Sequence, residues 1–168
     1  ALLHADKPLT QRELHQLTDI SLGSVNSTVR QCEAAGYISE RTLTEAGRQA
    51  LAPYKVDNAI IMAAGLSQRF APISYERPKG TLRVRGQVLI DRQIEQLHEA
   101  GINDITVVVG YKKEHFFYLA AKYGVKIVVN SDYATRNNNG SLWLVREQLA
   151  NTYICSSDDY FTVNPFED

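Results

Sequence analysis

Apolar positions along the chain follow two rhythms, and the change from one to the other falls near Leu51–Lys55. In the front segment Leu14 and Leu17, flanked by Leu9 and Ile20, form one apolar stripe at helical spacing. Thr10 stands three residues before Glu13, the pattern of a capping box, and so predicts where that helix starts. After a short Asp19–Gly23 connection, Val25, Val29 and Cys32 recur at i, i+4 and i+7, which predicts a second helix ended by Gly36 as its C′ residue. Tyr37-Ile38-Ser39 and Arg41-Thr42-Leu43 are predicted to pair as a short ribbon. Thr44 is then placed to cap a third helix running to about Leu51.

Behind Ala-Pro-Tyr-Lys the rhythm changes. Ala59–Met62, Ile105–Val109, Val125–Val129 and Tyr153–Cys155 are short apolar runs, expected as strands covered on both faces. Helical patterns separate them: Leu89 or Ile90 with Ile94, Leu97 and Ala100; then Phe116, Phe117, Leu119, Ala120 and Tyr123; then Leu142, Val145 and Leu149. Gly101 and Gly124 each sit just past a helix end, where a left-handed residue costs least. Strand–helix alternation of this kind predicts an α/β fold with a parallel sheet. The domain reading is therefore 1–52 and 56–168.

Composition narrows the function classes. With 18 Lys+Arg against 19 Asp+Glu the formal charge is −1, so no global field draws the 168-residue chain to nucleic acid or anionic lipid. The longest apolar run, Ala59–Ala64, falls far short of the roughly 20 residues a membrane helix needs, so no membrane partner is expected. Cys32 and Cys155 lie far apart without a CxxC pair, which argues against a zinc site of standard spacing and against a disulfide framework. No secretory leader opens the chain, and a reducing cytoplasmic setting is the expectation. The first residue is Ala rather than Met, as in a processed or excised piece.

The front segment, QRELHQLTDISLGSVNSTVRQCEAAGYI…LTEAG, resembles the MarR-like winged helix-turn-helix pattern over about residues 1–52. The resemblance implies a fold more than a ligand. Its would-be recognition helix offers Ser24, Asn26, Ser27, Thr28 and a single cation, Arg30, and residues 1–52 hold five Lys/Arg against six acids. Most non-specific DNA affinity comes from phosphate neutralisation, which this balance does not supply. DNA contact and docking on a protein surface stand side by side as readings of the segment.

The most informative stretch is Ala59-Ile60-Ile61-Met62-Ala63-Ala64-Gly65-Leu66-Ser67-Gln68-Arg69-Phe70, a buried strand running into small residues and then an arginine. Small side chains let backbone N–H groups approach an anion. A P-loop would need GxxxxGK[ST], which is absent; a dinucleotide fingerprint would need glycines where Ser67 and Phe70 stand, and Pro72 stops any long helix. Glu76-Arg77-Pro78-Lys79-Gly80 follows, with proline fixing the backbone before the lysine. Arg69 and Lys79 are then expected at the carboxyl end of the first strand, where open α/β sheets bind ligands.

AAGLSQRF, then PKG, then GQVLIDRQIEQLHEAGINDITVVVGYKKE together resemble the nucleotidyltransferase superfamily, whose members transfer a nucleoside monophosphate from an NTP to a phosphorylated acceptor. Within it the chain is most similar to the bacterial phosphocholine cytidylyltransferases, through KYGVKIVVN, the Asn137–Leu142 loop and YICSSDDYF, over about residues 57–163. The resemblance implies a Rossmann-like, GT-A-like sheet, CTP or another NTP as donor, phosphocholine as acceptor and Mg²⁺ as cofactor. It implies that Ala63, Ala64, Gly65 and Ser67 set backbone amides around the phosphates; many relatives carry glycine where Ser67 stands. Arg69 would grip the β- and γ-phosphates and Lys79 the α-phosphate, as the catalytic cations. Asp158 would bind the metal, with Asp159 beside it, and Asn139, Gly140 and Ser141 would lie where relatives read the nucleobase. Relatives continue beyond the fourth strand, so the resemblance also implies a chain cut short at its C-terminus. Two alternatives remain open at this point: a nucleotide-sensing transcriptional regulator, and a nucleotidyltransferase acting on a sugar 1-phosphate.

The residue types suit the chemistry. Attack of a phosphate oxygen on the α-phosphorus brings two anions together, so positioning and charge neutralisation do most of the catalysis. A hard Mg²⁺ ion accepts one or two carboxylates plus phosphate oxygens and waters, and Asp158 supplies the first. The plainer readings are a strand-ending turn for Asp158-Asp159, a turn and helix cap for Asn137–Gly140, core or interface packing for Trp143, and a small buried hydrophobe for Cys155. His4, His15, His98 and His115 are scattered, with no nucleophile–base pair.

Overall fold

The computed structural model describes residues 7–136 and 138–166. They fall into two compact units, one ending at Lys55 and the other beginning at Val56.

The front unit contains α1 (Gln11–Thr18), α2 (Leu22–Ala34), β1 (Ile38–Ser39), β2 (Thr42–Leu43) and α3 (Glu45–Leu51). Each predicted start is present. Thr10 and Glu13 form a reciprocal capping box, Thr44 caps α3 through the Gly47 N–H, and Gly36 takes a left-handed φ of 76° after α2. Strands β1 and β2 pair antiparallel, Ile38 opposite Leu43. The buried apolar set is small: Leu9, Leu14, Val25 and Ile38. Leu17 departs from the expected stripe and is 65% exposed, because α1 ends one residue later and α2 packs on the Leu14 side.

The second unit is built on a four-stranded sheet. Its strands are β3 (Asn58–Ala63), β6 (Asp104–Val109), β7 (Lys126–Val129) and β8 (Thr152–Ser156), in the order β7-β6-β3-β8, all parallel. Numbered along the chain this is 3-2-1-4, so the loop after β3 sits at the point where strand order reverses, flanked by the ends of both β6 and β8. A small hairpin, β4 (Arg83–Val84) with β5 (Gln87–Val88), leads into α4 (Leu89–Glu99); α5 (Tyr118–Tyr123) and α6 (Asn138–Leu144) complete the unit.

Alternation along the central strands assigns the layers. Ala59, Ile61, Ala63, Ile105, Val107 and Val109 face Ile90, Ile94, Leu97, Phe116 and Leu119 from α4 and the α5 region. Ile60, Met62 and Val108 face Val145 and Leu142 on the other side. Covering on both faces holds for β3 and β6. It fails for the outer strands: β7 has no buried residue among its four, and Ile154 of β8 is 52% exposed. The second and third helical patterns are also shorter than their apolar spacing suggests. Phe116 closes a 3₁₀ turn before α5, leaving Phe117 exposed, and α6 stops at Leu144, leaving Leu149 exposed. Trp143 is 61% exposed rather than core, with the Arg146 guanidinium 4.4 Å from its ring. Cys155 is buried as expected, which pushes its thiol up to about 12 and keeps it protonated. No helix among the described residues is long and apolar enough to cross a membrane.

Candidate functional site

Strand β3 delivers its backbone to the crevice and then turns. Ala63 and Ala64 are buried, Gly65 is exposed, and a 3₁₀ turn runs over Gln68–Phe70. The backbone N–H groups of Gly65 and Leu66 have no acceptor among the described residues, so they stay open to an anion. Ser67 holds a left-handed φ of 55°. That backbone favours glycine, and here the serine accepts the Lys79 N–H on its Oγ at 3.4 Å. Two further 3₁₀ turns, Ile73–Tyr75 and Lys79–Thr81, carry the chain back to the hairpin. From the end of β6, the Tyr111 hydroxyl donates to the Ser74 carbonyl and the Lys112 ammonium to the Glu76 carbonyl, bracing this segment.

Lys79 meets Asp158 here. Its Nζ lies 2.5 Å from Oδ1 of Asp158, and the two side chains are about one-fifth exposed. Ser156 donates its hydroxyl to the same oxygen, and the buried Gln93 of α4 donates its amide to the Ser156 carbonyl. Burial acts to raise the Asp158 carboxyl, but hydrogen bonds from Lys79 and Ser156 and the lysine charge outweigh it, holding the group below its usual range. Gly80 makes the approach of the two elements feasible. A Cβ there would lie 2.8 Å from both Cβ and Oγ of Ser157 and 3.0 Å from its carbonyl oxygen. Arg69 stands exposed on the turn after Ser67 and makes no side-chain hydrogen bond or ion pair among the described residues.

On the β6–β7 side of the same loop lies a cavity of about 340 Å³, lined by Ala64, Gly65, Leu66, Tyr133–Arg136, Asn138 and Ser141. Gly110 lets its walls close, since a Cβ there would fall 2.6 Å from Cβ of Tyr133 and 2.8 Å from the Ala64 carbonyl. A larger groove of about 400 Å³ in the front unit is apolar and carries none of these cations or open amides. The chemistry points to the smaller one.

Residues 59–162, more than half of the chain, match the MobA-like NTP transferase domain. The chain belongs to this family. Within the matched region it is 51% identical over 108 residues to a choline-phosphate cytidylyltransferase from Streptococcus pneumoniae, covering 64% of this chain and 47% of the relative. It is 46% identical over 105 residues to a 2-aminoethylphosphonate cytidylyltransferase from Lancefieldella rimae, covering 60% and 42%. The solved CTP:phosphocholine cytidylyltransferase from Streptococcus pneumoniae superposes with a TM-score of 0.64 at 49% identity, over 66% of this chain and 49% of that one. The chain thus spans about half the length of the relatives it matches.

The NTP transferase domain brings most of the sequence candidates together in two adjoining groups. Ser67, Lys79 and Asp158 form one, with Arg69 on the same loop. Ala64, Gly65 and Ser141 line the cavity of the other. Ala63 is a strand residue of the core rather than a lining residue. Asn138–Ser141 is the first turn of α6 and not a loop; Asn139 is exposed and Gly140 packs against Arg136, where a Cβ would lie 2.7 Å from the arginine's own Cβ. Asn137 lies outside the described residues. Sequence reasoning missed Tyr133, Thr135 and Arg136 in the wall, Asn130 behind it, and Ser156 and Gln93 behind Asp158. The signal for the wall was the polar run Ser131–Arg136 just after the edge strand β7, the place where a parallel sheet presents its loops.

As a metal centre the site offers one inward carboxylate. Asp159 is exposed, and no group of three or more His, Cys, Asp or Glu converges among the described residues. A lone, ionised carboxylate suits a hard cation that takes its other ligands from phosphates and water.

Proposed function

We propose that this chain carries the nucleotide-binding part of a cytidylyltransferase that makes CDP-choline and pyrophosphate from CTP and phosphocholine. The observation that carries the reading is the Lys79–Asp158 pair at the β3–β8 end, next to open amides at Gly65 and Leu66 and a polar cavity of about 340 Å³. In this reading the open amides and Arg69 hold the β- and γ-phosphates, and Lys79 neutralises the α-phosphate as the acceptor oxygen attacks. Asp158 would hold Mg²⁺, which when bound would supply charge neutralisation at the phosphates. Two relatives named above share cytidylyl transfer and differ in acceptor, one a choline phosphate and the other an aminoethylphosphonate. An acceptor with a cationic nitrogen close to an anionic phosphorus group is therefore the chemical class we assign, with phosphocholine first.

For residues 1–52 we infer a winged-helix module from the helix, helix, ribbon, helix order. A reducing cytoplasmic setting fits the free thiols of Cys32 and Cys155. Titration calorimetry of the chain with MgCTP tests the central reading. Saturable binding accompanied by a rise in melting temperature is expected. No heat and no thermal shift would overturn it.

A further inference from the structure

Beyond Ser156 the described chain runs to Phe166 without helix or strand. On one side of Asp158 the sheet still reaches the backbone, because the Ser157 N–H donates to the Met62 carbonyl at 3.2 Å. On the other side, residues 159–164 have no ladder to hold them. This matters more for the aspartate than for its partner. A short carboxylate side chain follows its backbone, whereas the Lys79 ammonium rides on a flexible four-carbon stem and can adjust.

Helix α4 supplies the anchor. Arg92, Gln96 and Glu99 recur at i, i+4 and i+7 and share one face of the helix. Arg92 donates to the Phe161 carbonyl through Nε at 2.9 Å and through Nη2 at 2.7 Å, and Nη2 also donates to the Thr162 carbonyl at 3.3 Å. Asn164 donates to the Gln96 carbonyl at 2.8 Å and to the Glu99 carboxylate at 3.4 Å. The Arg92 Cζ lies 5.1 Å from the centre of the Tyr160 ring. The remaining arm of the guanidinium serves a different segment: Nη1 donates to Oε1 of Gln87 in β5 at 2.9 Å. That strand belongs to the hairpin after the Lys79–Thr81 turn, and the Leu89 N–H closes the hairpin's base on the Leu82 carbonyl.

We propose that Arg92 is a positioning residue for the charged centre, tying the segment after Asp158 and the hairpin after Lys79 to one point on α4 and so fixing the separation of carboxylate and ammonium. It acts through the segments that carry the pair, and its planar fork reaches both where a single ammonium would not. The inference deepens the proposed function, and rests on it only for the nucleotide arm of the test.

The test is a double-mutant cycle of Lys79→Met with Asp158→Asn, followed by denaturant unfolding in the wild-type chain and again in an Arg92→Lys background. The coupling between Lys79 and Asp158 is expected to fall to about half or less when the fork is lost. A merely structural arginine would lower the stability of every member of the cycle alike and leave the coupling unchanged, which overturns the proposal. A wild-type pair that shows no coupling also overturns it. Gln87→Ala, at an exposed site, cuts the hairpin arm alone and should lower the coupling by a smaller amount. Should Arg92→Lys not fold, Gln87→Ala decides, and an unchanged coupling there overturns the proposal. Calorimetry adds the nucleotide arm: Arg92→Lys should weaken MgCTP binding about fivefold, and binding as tight as wild type would count against Arg92 in the same way. Absence of MgCTP binding by wild type removes the cytidylyltransferase reading and leaves the unfolding cycle to decide the role of Arg92.

Discussion

The two sides of the Ala64–Ser67 loop are built from opposite materials. Toward β8 the polar groups are ionised: Lys79 on Asp158, with Ser156 and Gln93 behind the carboxylate and Arg69 nearby on an exposed turn. Toward β7 the innermost pair is neutral, the Asn130 amide on the Ser141 hydroxyl. Full charges act over distance and tolerate imprecise placement, which suits a triphosphate that every NTP shares. Neutral donors and acceptors act only in contact and only in the right sense, which suits telling one base from another. One side is charged and the other is neutral at its centre.

That division can be attacked directly. The largest effect is expected from Lys79→Ala, which should weaken MgCTP binding about a hundredfold in calorimetry while leaving the CTP:UTP ratio unchanged. Gly80→Ala comes next. Its methyl would press on Ser157 beside the lysine, and a loss of about 1–3 kcal/mol in denaturant unfolding is expected. Arg69→Ala should cost about tenfold in MgCTP affinity, and Arg69→Lys should recover only part, because an ammonium lacks the bidentate fork.

Acid melts of Asp158→Asn set against wild type probe the charged side. Asp158 is held below its ordinary value of 3.8, so its contribution to stability is complete above that pH and fades as pH falls below it. Asp158→Asn should remove that part of the acid limb in thermal melts taken between neutral pH and strong acid. The smallest effect separates the two sides most sharply. Raising salt should weaken binding of both nucleotides together and leave their affinity ratio flat. A ratio that drifts with ionic strength would show that charge takes part in base choice.

The sheet was legible because β3 and β6 are covered on both faces and so read as nearly continuous apolar runs ending at Ala63 and Val109, with Thr106 the exception. Lys79 and Asp158 were singled out by the resemblance of PKG and YICSSDDYF to the nucleotidyltransferases, since the two lie far apart in sequence, and the structure pairs them. Outer strands and short helices were less legible. Half-exposed Ile154, Phe117 and Leu149 carry the same apolar letters as their buried neighbours, and only the packing tells them apart. The cavity wall was missed for a different reason. Tyr133–Arg136 forms no periodic element, and Asn130 reads as the polar end of a strand until its two hydrogen bonds are seen.

The Lys79–Asp158 pair bears on which anions the crevice would admit. An ammonium left bare at the end of a parallel sheet would attract inorganic phosphate or sulfate from its surroundings and stay clogged. With a carboxylate already beside it, the lysine is self-shielded, and a stray monoanion gains little by displacing that partner. A molecule that also engages the loop amides and the arginine would compensate for pulling the lysine across, so under the proposed function the resting pair would favour polyphosphates over monoanions.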